Sequence, residues 1–495
     1  MPADNKPGKT SDVHHENQPA HMQAVQGTVG GVGNLGDAGG VAVADSTQAV
    51  DGRARDAAGL LNLPAFDSHH PPDAGLIEDC VHCGFCLPTC PTYVLWGEEM
   101  DSPRGRIYLM QEGLEGRPLT TEMVRHFDLC LGCLACVTAC PSGVQYEKLI
   151  EATRQQVERR HPRTAAEKYF RHLIFALFPH PKRLRFATAP LALYARYSVG
   201  ERLRRSGLTA RLPARLRAME ELTPDLPRGE RSAGAPEFTP ARGVRRARVG
   251  LLTGCVQSVF FPYVNAATAR VLSADGCDVV APPGQGCCGA LSVHSGRERE
   301  AQAFARRTIV AFERAGVERV VVNAAGCGSA MKGYGYLLRD DPEYAERATL
   351  FAEKVRDASE FLHEIGPVAP RRPVETTAAY HDACHLAHGQ GVRAQPRACL
   401  AAIPGLELRE IGESEICCGS AGVYNLTEPE AAAELGARKA EHVIAADADL
   451  LVTANPGCML QIRAHLRKMG RTMMLAHPME VLDASIRGSD EFTRQ

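Results

Sequence analysis

The 495-residue sequence lacks several features that assign a chain to a broad class. Its net charge is −2, so no overall basic field indicates nucleic-acid binding. No stretch approaches the about 18 apolar residues of a membrane-spanning helix, and the N-terminus has no apolar segment typical of secretion. A Gly-x-Gly-x-x-Gly loop after a predicted strand is also missing, as is an evident base for proton abstraction. These absences argue against a dinucleotide-binding or substrate-oxidising centre on this chain.

Cysteine, by contrast, is abundant, with 18 in the chain. In a large chain without an export signal, clustered thiols more often bind metal or do redox chemistry than form disulfides. Eight of them form two runs, "CVHCGFCLPTCP" from Cys80 and "CLGCLACVTACP" from Cys130. Each run reads Cys-x2-Cys-x2-Cys-x3-Cys-Pro, the pattern that holds a pair of [4Fe–4S] clusters in bacterial ferredoxins. Zinc is the alternative, but a zinc ribbon does not need the repeated proline.

The spacing predicts how these eight cysteines divide between two clusters. Three thiolates on one tight turn reach three irons of one cube, whereas the fourth cysteine opens a helix that leads away and ligates the other cluster. The predicted ligands of cluster 1 are Cys80, Cys83, Cys86 and Cys140. The predicted ligands of cluster 2 are Cys130, Cys133, Cys136 and Cys90.

Small residues and two arginines accompany these runs. Gly84 and Gly132 allow backbone amides to approach the sulfides, and such hydrogen bonds tune the reduction potential. The segment between the runs, which includes "SPRGRIYLMQEGLEG", is predicted to form helices on the cluster core. Arg104 and Arg106 of that segment either face a cluster or a partner, or are ordinary surface arginines, and we favour the surface interpretation.

From Val244 onward, short β-rich runs alternate with helical stretches, which predicts mostly parallel sheets covered by helices. The cysteines of this region repeat at an offset of about 130 residues, far longer than a solenoid repeat, which indicates a duplicated domain. The repeated pairs are Cys255 with Cys384, Cys287 with Cys417, and Cys327 with Cys458.

Each half places four cysteines just after predicted strands, at the edge of an open α/β sheet where sites form. Four converging thiols suit a soft metal or an iron–sulfur centre, and adjacent cysteines suit a multinuclear cluster. The alternative is that these thiols pack as small hydrophobic side chains, as we expect for Cys277 and Cys399. His381, His385 and His388 surround Cys384 as ligands, proton carriers or core residues, and the core interpretation is favoured. The two candidate sets are Cys255, Cys287, Cys288 and Cys327, and Cys384, Cys417, Cys418 and Cys458.

These patterns predict a chain of the α+β and α/β classes in which a helical ferredoxin-like dicluster domain precedes two duplicated α/β cysteine-rich domains. The region between them is basic, with 22 Lys and Arg against 9 Asp and Glu over residues 151–250. It is either a membrane-surface patch or, as we favour, a helical connector packed on protein. The expected segments are a disordered tail (1–75), the ferredoxin-type domain (76–150), the connector (151–244) and two cysteine-rich domains (245–365 and 375–486).

Over residues 76–486 the chain resembles the iron–sulfur subunits of bacterial glycolate oxidase. The motifs that carry the resemblance include "CVHCGFCLPTCPTY", "DSPRGRIYL", "GCCGA" and "CCGSAGVYNLT". Wider relatives are the corresponding subunits of lactate and anaerobic glycerol-3-phosphate dehydrogenases and of heterodisulfide reductase. The fullest family members carry a further cysteine at the end of each cysteine-rich (CCG) domain, where this chain has Ala330 and Gln461. A further cluster in these domains is therefore an expectation weaker than the two [4Fe–4S] clusters.

The resemblance implies an electron-transfer subunit without catalytic residues of its own. A partner flavoprotein carrying FAD would oxidise glycolate to glyoxylate, and electrons would pass through this chain to a quinone-type acceptor. The implied location is cytoplasmic, peripheral on the inner face of the membrane, with no nucleic acid involved. The alternatives are a lactate or glycerol-3-phosphate dehydrogenase subunit, a thiol reductase similar to heterodisulfide reductase, and a non-catalytic scaffold.

Overall fold

The computed structural model describes residues 64–196, 211–224 and 229–493, and the single residues 202, 206 and 227. Most of the tail expected over residues 1–75 therefore lies outside the described residues. Its last part differs from that expectation, because Ala65 and Phe66 are buried. The Ala65 N–H donates to the Arg117 carbonyl at 2.9 Å, and Phe66 packs so closely on Gly113 that a Cβ there would lie 2.6 Å from the ring. Two apolar side chains thus anchor a segment whose composition resembled a linker.

The eight N-terminal cysteines lie in a domain built from short helices and tight loops. Cys90 is the N-cap of a helix that begins at Pro91. Proline favours this first helical position because it has no N–H and its φ is fixed near the helical value. Pro141, which follows Cys140, lies in a turn rather than a helix. The helices are α1 (Ala74–Glu78), α2 (Pro91–Trp96), α3 (Pro103–Leu114), α4 (Thr121–Leu129), α5 (Ala135–Thr138) and α6 (Tyr146–Arg160), and a 3-10 turn spans Glu99–Asp101.

Three further helices lie in the described part of the basic region between the cysteine-bearing parts. They are α7 (Ala165–Leu177), α8 (Pro181–Arg196) and α9 (Ala214–Glu221). A capping box of Thr164 and Glu167 starts α7, and the buried Ile174 and Phe175 pack with Val423 and Leu426 of the C-terminal region. Within the described residues, every helix is too short or too polar to traverse a bilayer.

The first α/β half contains a five-stranded sheet of order β1-β3-β2-β4-β5, in which β1 is antiparallel and the others are parallel. Its strands are β1 (Phe238–Thr239), β2 (Ala247–Leu252), β3 (Cys277–Val280), β4 (Arg319–Val322) and β5 (Val355–Asp357). Its helices are α10 (Val256–Phe260), α11 (Pro262–Ala274), α12 (Ala290–Val293), α13 (Glu298–Ala315), α14 (Ala325–Lys332), α15 (Tyr334–Leu337), α16 (Ala345–Lys354) and α17 (Ala358–Ile365).

The second half repeats this order with a parallel sheet β7-β6-β8-β9, which confirms the duplicated α/β architecture. Its strands are β6 (Thr376–His381), β7 (Leu406–Glu410), β8 (Leu450–Thr453) and β9 (Met474–Ala476). Its helices are α18 (Cys384–Ala387), α19 (Ala394–Ala401), α20 (Tyr424–Thr427), α21 (Pro429–Ala445), α22 (Pro456–Lys468) and α23 (Pro478–Arg487).

The two halves share one hydrophobic core. Val249 of β2 and Leu450 of β8 belong to the same buried cluster, and helices α11 and α23 pack against each other. Arg270 of α11 also donates to both carboxylate oxygens of Asp483 in α23, at 2.9 and 2.7 Å. Because side chains of both sheets fill this core, the duplicated halves hold a fixed orientation, and the carboxyl ends of their central strands approach each other.

Candidate functional site

The four cysteines predicted for cluster 2 surround one small cavity. Its other lining residues include Gly132, Arg106 and Tyr146. The Gly132 N–H donates to Cys130 Sγ at 3.4 Å, and Gly132 adopts a φ of +63°, which a Cβ would disfavour. Tyr146 Oη donates to the same sulfur at 3.7 Å, a contact that the sequence motifs did not reveal. The cysteines at this cavity are Cys90, Cys130, Cys133 and Cys136.

Arg106 is not the surface residue that the sequence analysis favoured. Its side chain is 1% exposed, and its Nε donates to the His126 carbonyl at 2.6 Å. Its Nη2 lies 3.5 Å from Asp101 Oδ1, and its Nη1 lies 4.0 Å from Cys90 Sγ. The buried acid and the nearby sulfur explain why a guanidinium is retained here, since a buried charge needs partners.

This cationic surrounding favours a thiolate at Cys130. Burial alone would raise the pKa of the Cys130 thiol, but the guanidinium groups of Arg106 and Arg154 override burial and lower it. At Cys133 and Cys136, burial instead raises the pKa well above the ordinary value. Iron binds the thiolate form of cysteine. Cys133 and Cys136 therefore become favourable ligands only when a cation compensates the negative charge that each sulfur carries after losing its proton.

The cysteines predicted for cluster 1 lie nearer the surface. Cys83 is exposed, and Cys80, Cys86 and Cys140 are half-buried. The first three lie on one loop, which Arg104 contacts by donating to the His82 carbonyl at 3.0 Å. Val81 and Phe85 of the same loop are 67% and 65% exposed. The chain thus presents an apolar rim around an accessible cysteine.

The cysteines of the two duplicated halves face a common cavity of about 130 Å³. His294 of the first half and His385 of the second also line it, with ring centroids 4.8 Å apart. Burial lowers the pKa of both imidazoles, that of His385 to about 4, so both are neutral near pH 7. The cysteines that line the cavity are Cys255, Cys287, Cys288, Cys327, Cys384, Cys417 and Cys458.

Within each half, the four thiols form a row in which the two adjacent cysteines contact each other and each contacts one further cysteine. Cys287 Sγ lies 3.7 Å from Cys255 Sγ, and Cys288 pairs with Cys287 and Cys327. The second half repeats this row, with Cys384 Sγ 3.9 Å from Cys417 Sγ and Cys418 between Cys417 and Cys458. Four thiols so close together suit a soft metal or an iron–sulfur centre. Cys277 and Cys399 instead lie in the hydrophobic core.

The ferredoxin-type domain joins this arrangement directly. Cys133 belongs to one buried cluster with Cys384 and Cys417 of the second half. Thr138 Oγ1 also lies 2.7 Å from His388 Nδ1, so helix α5, which contains Cys136, is hydrogen-bonded to the second half. A contact between residues so distant in sequence carries no local sequence signal.

The side chains present fit iron–sulfur centres. Thiolate donors are the ligands that iron–sulfur clusters require, and the cluster 2 set converges with a backbone amide and a guanidinium near its sulfurs. Seven of the eight cysteines of the duplicated halves line one cavity, and hydroxyl or carboxylate ligands typical of Mg²⁺ or Ca²⁺ do not line it in the described residues. The donor chemistry therefore matches iron and sulfide rather than a hard cation.

Comparison with protein families assigns each part of the chain. Residues 76–144 match a 4Fe-4S dicluster domain, and residues 249–332 and 378–463 match a cysteine-rich domain. Residues 166–223 match the linker region of the glycolate oxidase iron–sulfur subunit. The chain therefore carries iron–sulfur and cysteine-rich domains in the order expected from the sequence.

Curated relatives extend this likeness over most of the chain. The sequence is 40% identical to the probable glycolate oxidase iron–sulfur subunit of Bacillus subtilis (strain 168), over 80% of this chain and 91% of that protein. It is 36% identical to the glycolate oxidase iron–sulfur subunit of Escherichia coli (strain K12), over 83% and 94%. Lactate utilization protein A of Shouchella clausii (strain KSM-K16) matches at 31% identity, over 48% of this chain and 98% of that protein. The chain therefore belongs to the family of glycolate oxidase iron–sulfur subunits, and it is an iron–sulfur component of a multi-subunit oxidoreductase complex.

Proposed function

We propose that this chain conducts electrons from a partner flavoprotein, which oxidises glycolate to glyoxylate, to a quinone-type acceptor. The names of the relatives that match most of the chain support glycolate as the substrate. Oxidation of glycolate to glyoxylate releases two electrons and two protons, which FAD on the partner would accept together. Bound [4Fe–4S] clusters supply one-electron steps, which divides the pair. The residues of this chain supply position and potential.

The proposed ligands of cluster 1 are Cys80, Cys83, Cys86 and Cys140, and those of cluster 2 are Cys90, Cys130, Cys133 and Cys136. The exposed position of Cys83 supports the cluster 1 loop as the entry side. The apolar rim of Val81 and Phe85 suits contact with the flavoprotein, because exposed apolar side chains beside a functional group mark interaction sites.

The observation that carries the proposal is the burial of Cys133 with Cys384 and Cys417 in one cluster. This contact continues the row of cysteines from the exposed loop of cluster 1, through the buried cavity of cluster 2, to the cavity of the duplicated halves. An electron-conducting chain needs redox groups that are closely spaced and insulated from water. A scaffold without electron transfer has no need for such a row.

The exit side is proposed to lie at the membrane surface. Helix α8 carries Phe186, which is 85% exposed, next to the basic residues Lys182, Arg183 and Arg185. Exposed aromatic and basic side chains on one helix suit peripheral binding to anionic lipid, where quinones reside. We therefore propose a cytoplasmic protein that associates with the inner face of the membrane.

Two other functions remain as candidates. Lactate is favoured as an alternative substrate by the match to lactate utilization protein A, but that match covers half of this chain. Thiol reduction would use the duplicated halves on a substrate disulfide. Ala330 and Gln461, which stand where fuller family members have cysteine, count against it.

Cysteine substitution in the whole complex tests the proposal. In Cys80→Ser and Cys130→Ser, glycolate is expected to reduce the partner's flavin as in wild type, while reduction of a quinone analogue is lost. Cys399→Ser, a core cysteine outside the proposed sites, is the matched control and should retain quinone reduction. Loss of flavin reduction together with the clusters, or full quinone reduction in Cys130→Ser, would contradict the proposed conduction. Lactate reducing the flavin in place of glycolate would reassign the substrate.

A further inference from the structure

The two duplicated halves differ in one residue at the end of their central strands. Leu252 is the last residue of β2 and pairs with Val322, and His381 is the last residue of β6 and pairs with Thr453. Both precede the first cysteine of their half, Cys255 or Cys384, by three positions. The same place in the duplicated fold therefore holds an apolar side chain in one copy and an imidazole in the other.

His381 is buried without a hydrogen-bond partner. Its exposed fraction is 1%, and neither Nδ1 nor Nε2 has a partner among the described residues. A buried polar group left unsatisfied costs about 1–3 kcal/mol, so an imidazole in this position indicates a ligand for one of its nitrogens. In the first half, Leu252 fills the equivalent position in the core, so packing alone does not require an imidazole at His381.

The cysteines of the second half lie within reach of this imidazole. A ring nitrogen of His381 and the sulfurs of Cys418 and Cys458 all lie within 4.8 Å of one another. All three side chains are buried, so water does not compete for the position between them. Three soft or borderline donors at this spacing suit a transition metal.

Other residues around the cysteines of the second half are also more polar than the residues at the equivalent positions of the first half. Lys439 is 2% exposed and donates to the Glu413 carbonyl, and its charge acts favourably on the Cys417 and Cys418 thiolates. Asn455 Nδ2 donates to Cys458 Sγ at 3.4 Å. By the offset that relates the halves, Lys439 corresponds to Ile309 and Asn455 to Ala324. The second set thus has polar and cationic neighbours that the first set lacks.

We propose that His381 is an iron ligand in the second cysteine-rich half, where it joins Cys384, Cys417, Cys418 and Cys458. The first half, with Leu252 at the equivalent place, relies on cysteine alone. This inference rests on the proposed function for the presence of iron in these halves. The match of the chain to a 4Fe-4S dicluster domain and to two cysteine-rich domains favours iron over a single zinc ion at these thiols.

The unequal ligand sets divide the roles of the two halves. Both halves contribute four cysteines, so the neutral imidazole of His381 adds a ligand without adding negative charge, and histidine ligation raises the potential of iron–sulfur centres. The buried charge of Lys439 and the Asn455 N–H beside Cys458 further stabilise the reduced centre. The second half, which contacts the ferredoxin-type domain through Cys133, is therefore the stronger electron acceptor of the two. Electrons arriving from Cys133 are held there before they leave the chain.

Nitrogen hyperfine spectroscopy tests the ligand directly. The holo-protein is labelled with 15N-histidine, and pulsed EPR is recorded on its reduced and oxidised centres. Wild type is expected to show a directly coordinated 15N, which both His381→Leu and His381→Cys lose. His381→Cys should retain the iron content of wild type and lower the reduction potential of one centre. His465→Tyr, which installs the residue found at the equivalent Tyr334, is the matched control and should keep the 15N signal.

Three results overturn the inference. A 15N coupling that persists in His381→Cys assigns the nitrogen to another histidine. Iron-loaded wild type without a coordinated 15N excludes His381 as a ligand. An iron content that Cys418→Ser leaves unchanged, or one zinc per chain that this substitution removes, excludes iron from the second half. If iron is excluded from the second half, the proposed function is still tested separately. Quinone reduction by the wild-type complex measures that function, and it depends on Cys80 and Cys130.

Discussion

Tyr424 Oη donates a hydrogen bond of 3.0 Å to the carbonyl oxygen of Leu129, although the two residues are 295 positions apart. Leu129 ends helix α4, directly before Cys130, and Tyr424 begins helix α20, shortly after Cys417 and Cys418. A single buried contact thus links the loop of one cysteine set to the loop of another. Together with the hydrogen bond between Thr138 and His388, it joins the ferredoxin-type domain to the second cysteine-rich half.

Tyr424→Phe is expected to lower the free energy of unfolding by about 1 kcal/mol, because one buried hydrogen bond is lost. Hydrogen exchange of the amides around Leu129 and Tyr424 should also increase, as the two domains separate more often. The control is Tyr334→Phe, which removes the 2.6 Å bond to the Cys288 carbonyl within one half. Chemical denaturation should show a similar loss of unfolding free energy in both variants. Increased hydrogen exchange at Leu129 in Tyr334→Phe would contradict the role of Tyr424 in joining the two domains.

Arg106→Met is expected to destabilise the ferredoxin-type domain by about 3–5 kcal/mol, because it breaks a buried ion pair and leaves the His126 ring, 2.8 Å away, as the remaining side-chain partner of Asp101. Arg104→Met, two residues away, breaks the more exposed pair with Glu99 and should cost at most about 1 kcal/mol. Anaerobic denaturation of the iron-loaded protein measures both values. Equal losses in the two variants would show that the burial of Arg106 has no energetic consequence.

Phe85→Glu is expected to slow electron delivery from the partner flavoprotein at least tenfold, since a carboxylate then occupies the apolar rim of cluster 1. The iron content and the EPR spectra should match those of wild type, because Phe85 is 65% exposed. Leu350→Glu places the same charge on another exposed apolar residue, 52% exposed on α16, and should leave delivery unchanged. Stopped-flow reduction distinguishes them, and an unaffected Phe85→Glu would move the docking face elsewhere.

Asp357→Asn is expected to remove a pH-dependent part of stability. Burial raises the pKa of Asp357 to about 6 from an ordinary 3.8. Between these values the folded state holds a proton that the unfolded state has released, so stability is highest below about pH 4 and falls as the pH rises through 6. The loss amounts to about 2–3 kcal/mol.

The asparagine retains a side-chain oxygen that can accept the Ser359 N–H bond, which measures 2.8 Å in wild type, but it does not titrate. Unfolding free energies of both proteins, measured at several values between about pH 4 and 7, should therefore differ least near pH 4, where Asp357 is protonated, and the value for wild type should fall relative to that of the variant as the pH rises. Parallel curves would show that the folded-state pKa of Asp357 is ordinary.

Local patterns were enough to predict much of this architecture. The two Cys-x2-Cys-x2-Cys-x3-Cys-Pro runs are short local motifs, and the repeat that relates Cys255 to Cys384 can be found by comparing the sequence with itself. Family comparison confirmed the domains that these patterns indicate. The division of the eight ferredoxin-type cysteines into two ligand sets stays a prediction. The structure adds that one of these sets shares a cavity.

Features that depend on how distant parts of the chain pack together could not be predicted from local sequence patterns. The cavity shared by Cys287 and Cys417 exists because both sheets pack on one core, which no single half encodes. Arg106 was misassigned to the surface, because helical periodicity cannot reveal that Asp101 folds back under it. His381 was assigned to the core, and it is buried there, but the sequence could not reveal the strand register that places it beside Cys418 and Cys458.

The burial of Cys133 with Cys384 and Cys417 shields these sulfurs from solvent in the folded chain. On the proposed function, iron therefore has to reach them before the ferredoxin-type domain packs against the second cysteine-rich half. Cluster insertion and folding of this chain are then coupled steps.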